Sequence, residues 1–209
     1  MVANNNQMEY IRLVTPGDSS KLCSIYSYYV EQTAVSFEYL APDASEFEHR
    51  IRAFSKTCPY LVYCKGTEIL GYAYAHPAFQ RAAYAWCAET TVYVDHCAKG
   101  KGIGRALYSA LIRILALQGY KILYAVIVAE NAESCLFHQQ NGFRLAATFP
   151  NAGYKFNRWL DVVWYERVLG EFQEPIGPPV AFEQLSMEEV ERICEEVNAT
   201  LKPISNRSD

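Results

Sequence analysis

Glu89 lies in the apolar, β-branched run Ala88-Glu89-Thr90-Thr91-Val92-Tyr93-Val94. The glycine-spaced basic segment Lys99-Gly100-Lys101-Gly102-Ile103-Gly104-Arg105-Ala106 follows shortly after. A helix that opens on glycines offers free backbone N–H groups and little side-chain bulk, which is what an anion needs. Glycines also let a pyrophosphate approach the backbone. A phosphate grip this close to an acid–base group suggests an enzyme that acts with a phosphate-bearing cofactor.

The surrounding elements must hold these two features together. Residues 10–14 read as a first strand. Asp18 or Ser19 can cap a helix whose apolar face is Leu22, Ile25, Tyr26 and Tyr29. Residues 33–42 read as a loop carrying Val35, Phe37 and Tyr39, and residues 43–54 as a second helix. Strands are expected over 60–64, 69–75 and 84–94, the first two joined by a turn at Lys65-Gly66. The clearest helix is 102–118, with Ile103, Leu107, Leu111, Ile114 and Leu115 on one stripe and Gly119 as its stop. The continuous apolar run 123–128 predicts a strand covered on both faces. A short helix over 131–140 and strands over 143–149 and 154–168 follow. The pattern is α/β (α+β): a mixed sheet flanked by helices, with the glycine turn beyond the carboxyl end of a central strand, where ligands of such sheets sit.

Beyond Gly170 the composition changes. Residues 171–179 hold three of the chain's nine prolines and read as a linker. Ser186-Met187-Glu188-Glu189 has the form of a capping box. Met187, Val190, Ile193, Cys194 and Val197 then stripe an acidic helix suited to packing on the main domain or on a second subunit. The expected division is a flexible start over 1–8, a main domain over 9–169, and the linker and acidic helix over 170–209.

Bulk properties narrow the classes. The chain has 209 residues, 51% of them hydrophobic, and a net charge of −4, so it can bury a core and lacks the basic face of a nucleic-acid binder. No apolar run approaches the roughly 20 residues of a membrane span, and the first residues lack the basic and apolar regions of a signal peptide. Neither nucleic acid nor membrane is an expected partner. Seven cysteines without a C-x-x-C pair read as free thiols in a reducing cytoplasm, with no metal centre. Cys87 has no histidine close by in sequence to make it a nucleophile.

Which phosphate ligand the turn would hold is a matter of spacing. A P-loop needs Lys after its last glycine, but Ile103 follows Gly102. A dinucleotide fingerprint needs Gly or Ala at its third position, where Arg105 or Leu107 stands. The pattern left, a cation or glutamine followed by x-x-G-x-G and a helix, resembles the pyrophosphate loop of the GNAT acetyltransferases. Lys99 stands where that family usually has Arg or Gln. Asn131, Ser134, Phe137, His138 and Gly142-Phe143 resemble the family's later segment, with His138 in place of its usual Tyr. The segments Glu31-Gln32-Thr33-Ala34-Val35-Ser36-Phe37, Gly71-Tyr72-Ala73-Tyr74-Ala75, Tyr84-Ala85-Trp86-Cys87-Ala88-Glu89-Thr90-Thr91-Val92-Tyr93-Val94 and Trp159-Leu160-Asp161-Val162 are similar to the phosphinothricin (methionine sulfoximine) acetyltransferase branch. The similarity spans about residues 9–169.

The resemblance implies a GNAT fold with a mostly antiparallel sheet. It also implies acetyl-CoA-dependent N-acetylation of the α-amine of a small glutamate-like amino acid, by direct transfer in a ternary complex. Glu89 would be the base. His138 would be either the acid that reprotonates the leaving thiolate or a structural helix histidine. Val92, Tyr93 and Val94 would hold the pantetheine arm, and Gly100, Lys101, Gly102, Ile103, Gly104 and Arg105 the pyrophosphate. Asn131 would cap its helix and sit near the cofactor. Phe37 and Tyr84 would belong to the amine site, and Arg81 would either clamp a substrate carboxylate or be an ordinary hairpin arginine. Another amine, such as a polyamine or a protein N-terminus, and a non-catalytic acyl-CoA-binding module are the alternatives. Family members often pair as dimers, so a homodimer is a further expectation.

Overall fold

The computed structural model describes residues 8–173, 177–202 and 204. The start expected to be flexible lies outside them, apart from Met8. Among the described residues, seven strands form one sheet in the order β1-β2-β3-β4-β5-β7-β6. They are β1 (Glu9–Leu13), β2 (Tyr60–Lys65), β3 (Glu68–Pro77), β4 (Cys87–Val94), β5 (Ile122–Val128), β6 (Arg144–Lys155) and β7 (Arg158–Val168). Every neighbouring pair is antiparallel except β4 and β5. A parallel pair needs a crossover, and helix α3 (Ile103–Gln118) supplies it.

α3 buries Leu107, Leu111, Ile114 and Leu115 completely beneath β2, β3 and β4. Each such side chain contributes about 1.5–3 kcal/mol relative to exposure. The other face is covered by α1 (Ser19–Gln32) and α2 (Ala44–Thr57), over a core rich in tyrosine: Tyr26, Tyr29, Tyr60 and Tyr72. Asp43 begins α2 by accepting the Glu46 N–H at 2.8 Å.

The feature that makes room for a ligand is the brevity of the parallel ladder. β4 and β5 pair only at Cys87 with Ile122, Ala88 with Leu123 and Glu89 with Tyr124. Beyond Glu89 the strands part, each held by its outer neighbour alone. The gap leaves backbone edges that no ladder satisfies.

Several elements differ from the sequence reading. Residues 84–86 are not strand: a 3₁₀ turn covers Ala82–Tyr84, and the Trp86 carbonyl accepts from the N–H groups of Lys121 and Ile122 at 2.9 and 3.1 Å. β5 is not covered on both faces, since Tyr124 is half-buried and Val126 is 41% exposed. The strands expected over 143–149 and 154–168 divide differently: β6 runs on to Lys155, and the chain turns at Phe156 and Asn157, both left-handed with φ of 51° and 59°. Residues 150–153 stay within β6 as an irregularity, with the Asn151 N–H donating to Asp161 at 2.8 Å. A two-residue turn with positive φ matches the right-handed twist of its strands.

The acidic helix is α5 (Met187–Asn198). It packs Val190, Ile193, Cys194 and Val197 onto α3 and β1. Ser186 sits at its N-cap without a side-chain bond, so the expected capping box does not close, and Met187 is left largely exposed. At its far end Asn198 accepts the Ile11 N–H at 2.7 Å and donates to the Ile11 carbonyl at 3.1 Å. The amide thus occupies backbone groups on the open edge of β1.

Candidate active site

Gly100 and Gly102 adopt φ of 74° and 83°, and nothing lies within 4 Å of where a Cβ would stand at either. No side chain among the described residues caps the start of α3. The N–H groups of Ile103, Gly104 and Arg105 precede the first intrahelical bond, so they are free to meet an anion at the positive end of the helix dipole. Gly104 is small for another reason: a Cβ there would come within 3.2 Å of the Phe137 ring. Cations ring the turn. Lys99 lies 3.5 Å from Glu133 and over the Tyr29 ring, Lys101 donates to the Cys97 carbonyl at 3.3 Å, and Arg105 reaches Gln140 at 3.4 Å. These contacts are long or exposed and break readily for a better anion. From the turn a groove of about 370 Å³ runs between Val92, Tyr93 and Val94 on one side and Asn131 and Ser134 on the other.

A second cavity of about 260 Å³ occupies the gap between β4 and β5 and shares Val35, Val92, Tyr93, Asn131 and Ser134 with the groove. Glu89, at the last paired position before the gap, lines it together with Phe37, Tyr74, His76, Thr90 and His138. Burial pushes the Glu89 carboxyl up from its usual range, and the nearby His76 partly offsets this. His76 is opposite Glu89 in the β3–β4 register, with Nε2 3.9 Å from Oε1. His76 Nδ1 lies 3.1 Å from the Pro77 carbonyl. That carbonyl can only accept, which assigns the Nδ1 proton to it and turns Nε2 toward Glu89.

His138 sits on α4 (Ala132–Gln140), whose N-cap Asn131 accepts the Ser134 N–H at 3.2 Å. The imidazole is 4% exposed, and burial brings its pKa down to about 4. Nδ1 lies 2.7 Å from the Ser134 carbonyl, so it carries the proton of the neutral ring. Nε2 faces the Tyr108 hydroxyl at 2.9 Å. That hydroxyl also stands 3.1 Å from Thr90, which donates to the Tyr124 carbonyl.

The fold thus gathers Glu89, His138, Asn131, Phe37, the glycine turn and residues 92–94 around two joined cavities. Arg81 and Tyr84 lie elsewhere, exposed on the β3–β4 connection, where Tyr84 packs on Phe79. They do not line the Glu89 cavity. His76 was not visible as a site residue in the sequence, because the irregular connection 78–86 hides its register with Glu89. Cys97, His96 and Asp95 bring three ligand-type atoms within 4.8 Å at an exposed corner. There Asp95 already pairs with Lys21 at 3.1 Å and caps the Cys97 N–H. All seven cysteines are free thiols.

The profile of the Acetyltransferase (GNAT) domain matches residues 11–164. The chain belongs to the GNAT acetyltransferase family. Among related GNAT proteins, the phosphinothricin N-acetyltransferase of Streptomyces viridochromogenes is 33% identical over 168 residues, covering 80% of this chain and 90% of that protein. The L-methionine sulfoximine/L-methionine sulfone acetyltransferase of Salmonella typhimurium is 30% identical over 169 residues, covering 79% and 97%. The solved GNAT phosphinothricin acetyltransferase of Sinorhizobium meliloti, in complex with AcCoA, superposes with a TM-score of 0.75 at 29% identity, covering 83% of this chain and 94% of that one. The mixed, mostly antiparallel sheet seen here is the GNAT fold, and the chain is an acyltransferase of that family. No helix among the described residues is long and apolar enough to cross a membrane.

Proposed function

We propose that this GNAT enzyme transfers the acetyl group of acetyl-CoA to the α-amine of a small glutamate-like amino acid, of the phosphinothricin or methionine sulfoximine type. Transfer is direct, within a ternary complex. The observation that carries the reading is the position of Glu89. It stands at the fork of β4 and β5, in a cavity whose walls continue into the groove headed by the glycine turn. The names of the relatives supply the acceptor class.

The residues fit acetyl-CoA as a substrate. The open glycine turn and the α3 N-terminus suit a pyrophosphate, with Lys101 and Arg105 meeting its charge. The edge of residues 92–94 suits an extended pantetheine arm. Acetyl-CoA supplies an activated thioester.

An amine arrives mostly protonated at neutral pH. Glu89 takes its proton, directly or through one water, and the free amine forms the C–N bond as the C–S bond breaks. The raised pKa of Glu89 brings this base closer to working pH. The thiolate leaves and takes up a proton, so the sum is one amide, one thiol and one released proton. His138 serves as a positioning group. Its ring is neutral and buried, with Nδ1 donating to the Ser134 carbonyl and Nε2 set against the Tyr108 hydroxyl, so it packs Tyr108 and the start of α4 beside the cavity.

The acceptor wall within the cavity is Phe37, Tyr74 and His76. The enzyme works in the cytoplasm, as its free thiols suggest, and pairs as a homodimer. The test is free-thiol release from acetyl-CoA with a panel of amino acids, a polyamine and a peptide N-terminus. Release with phosphinothricin or methionine sulfoximine supports the reading. Release with the polyamine or peptide alone transfers the site to another amine, and binding of acetyl-CoA without release makes it a binding module.

A further inference from the structure

Lys155 is a cation where none is expected. It is 3% exposed, and its ammonium makes no ion pair among the described residues. Nζ donates instead to three backbone carbonyls: Val30 at 2.6 Å, Thr33 at 3.0 Å and Ser36 at 2.6 Å. An ammonium has three N–H donors and a neutral amine only two, so three carbonyl partners call for the charged form. Burial pulls its pKa down, and Glu38 opposes that. The Phe156 ring lies 5.2 Å from Nζ and adds a cation–π contact.

The three carbonyls share one place in the chain. Val30 lies in the last turn of α1, Thr33 is its C-cap, and Ser36 begins the segment that carries Phe37. Carbonyls at a helix C-terminus lack intrahelical partners, and a cation suits the negative end of the dipole. Two further contacts join the same segment to the β6–β7 hairpin. The Tyr39 hydroxyl donates to the Tyr154 carbonyl at 2.6 Å. Phe37 lies so close to Gly153 that a Cβ there would stand 2.2 Å from the ring. On its other side the segment is tied to α1 and α2, through Tyr26 to Ser36 at 2.7 Å and Arg50 to Glu38 at 2.7 Å. Val35, Ser36 and Phe37 in turn line the Glu89 cavity.

The geometry points to Lys155 as a positioning residue for the acceptor amine. It acts through the 33–39 segment, which it fastens to the hairpin so that Phe37 stands at a fixed distance from Glu89. This assignment rests on the amine-acceptor reading of that cavity. Lys155 touches no reacting atom. Its loss would loosen one wall of the acceptor site and leave in place the glycine turn, to which Lys155 makes no hydrogen bond.

The test compares the full-length wild type with K155M for acceptor KM, kcat and acetyl-CoA Kd, with amide exchange over residues 33–40 measured in parallel. The expected result is an acceptor KM raised about tenfold or more, an acetyl-CoA Kd within about twofold, and faster exchange over 33–40. A folded K155M with wild-type acceptor KM overturns the assignment. If K155M fails to fold, Y39F and G153A carry the test. Y39F is expected to raise acceptor KM about two- to threefold and G153A more, and wild-type KM in both overturns the assignment. If the wild type releases no thiol with any amino acid, the acceptor reading fails by itself. Exchange over 33–40 in K155M then decides the anchoring alone: faster exchange supports it and unchanged exchange overturns it.

Discussion

The imidazole of His76 faces the carboxylate of Glu89 across the β3–β4 ladder, with Nε2 3.9 Å from Oε1. A protonated His76 favours the ionised carboxylate, and burial opposes it. In the proposed role Glu89 acts as a base only when ionised, so its pKa would set the acidic limb of kcat/KM. His76→Gln removes the favourable charge, and the limb is expected to move to higher pH. A pH–rate profile that superposes on the wild type's would show that the two groups are not coupled.

Glu89→Gln keeps the shape and removes the proposed base. Its kcat is expected to fall about 10²- to 10⁴-fold. The acetyl-CoA Kd should hold within about twofold, because the glycine turn lies beyond the far end of β4. Steady-state kinetics with calorimetric titration of acetyl-CoA check both numbers. Equal turnover would remove Glu89 from the role.

Gly102 has open space for a Cβ but a φ of 83°. Gly102→Ala therefore meets strain rather than a clash, of about 1–2 kcal/mol. Relieving that strain turns the first N–H groups of α3 away from the pyrophosphate. Acetyl-CoA affinity is expected to drop about five- to thirtyfold, the binding equivalent of that energy, with Tm little changed. Titration calorimetry reads the loss.

His138 is kept neutral by burial, with a folded pKa of about 4 against an ordinary 6.5. Between these values the unfolded chain binds a proton that the folded one refuses, so stability falls as pH falls. From pH 6.5 to 5 this one group is expected to cost on the order of 1–2 kcal/mol. Denaturant unfolding at the two pH values measures it. His138→Gln should lose that share of the pH dependence, and a His138→Phe enzyme that keeps both limbs of the rate profile would agree with a positioning role.

Local signals made much of the site readable from sequence. Glycine spacing announced the turn, the Leu107–Leu111–Ile114–Leu115 stripe announced α3, and Asn131 announced the α4 cap. Tertiary relationships were not readable. His76 meets Glu89 only because β3 and β4 pair across the connection 78–86, whose length fixes no register. Nothing in the sequence singles out Lys155, and only packing against the end of α1 brings its ammonium to three backbone carbonyls. The sequence reading broke the strands at Pro150-Asn151-Ala152-Gly153, which has turn composition. The chain instead turns at Phe156-Asn157 and takes the first four residues into β6. Val126 is apolar yet 41% exposed, since the gap that opens the cavity also uncovers that face of β5.

Direct acetyl transfer to an amino-acid α-amine couples every thiol released to one amide formed. The most direct measurement counts free thiol and acetylated amino acid together by mass spectrometry, with and without phosphinothricin or methionine sulfoximine. Equal amounts of thiol and N-acetyl amino acid are expected, and neither thiol nor acetylated protein when the amine is left out. Thiol release that does not depend on the amine, or an acetyl group left on the enzyme, would contradict it.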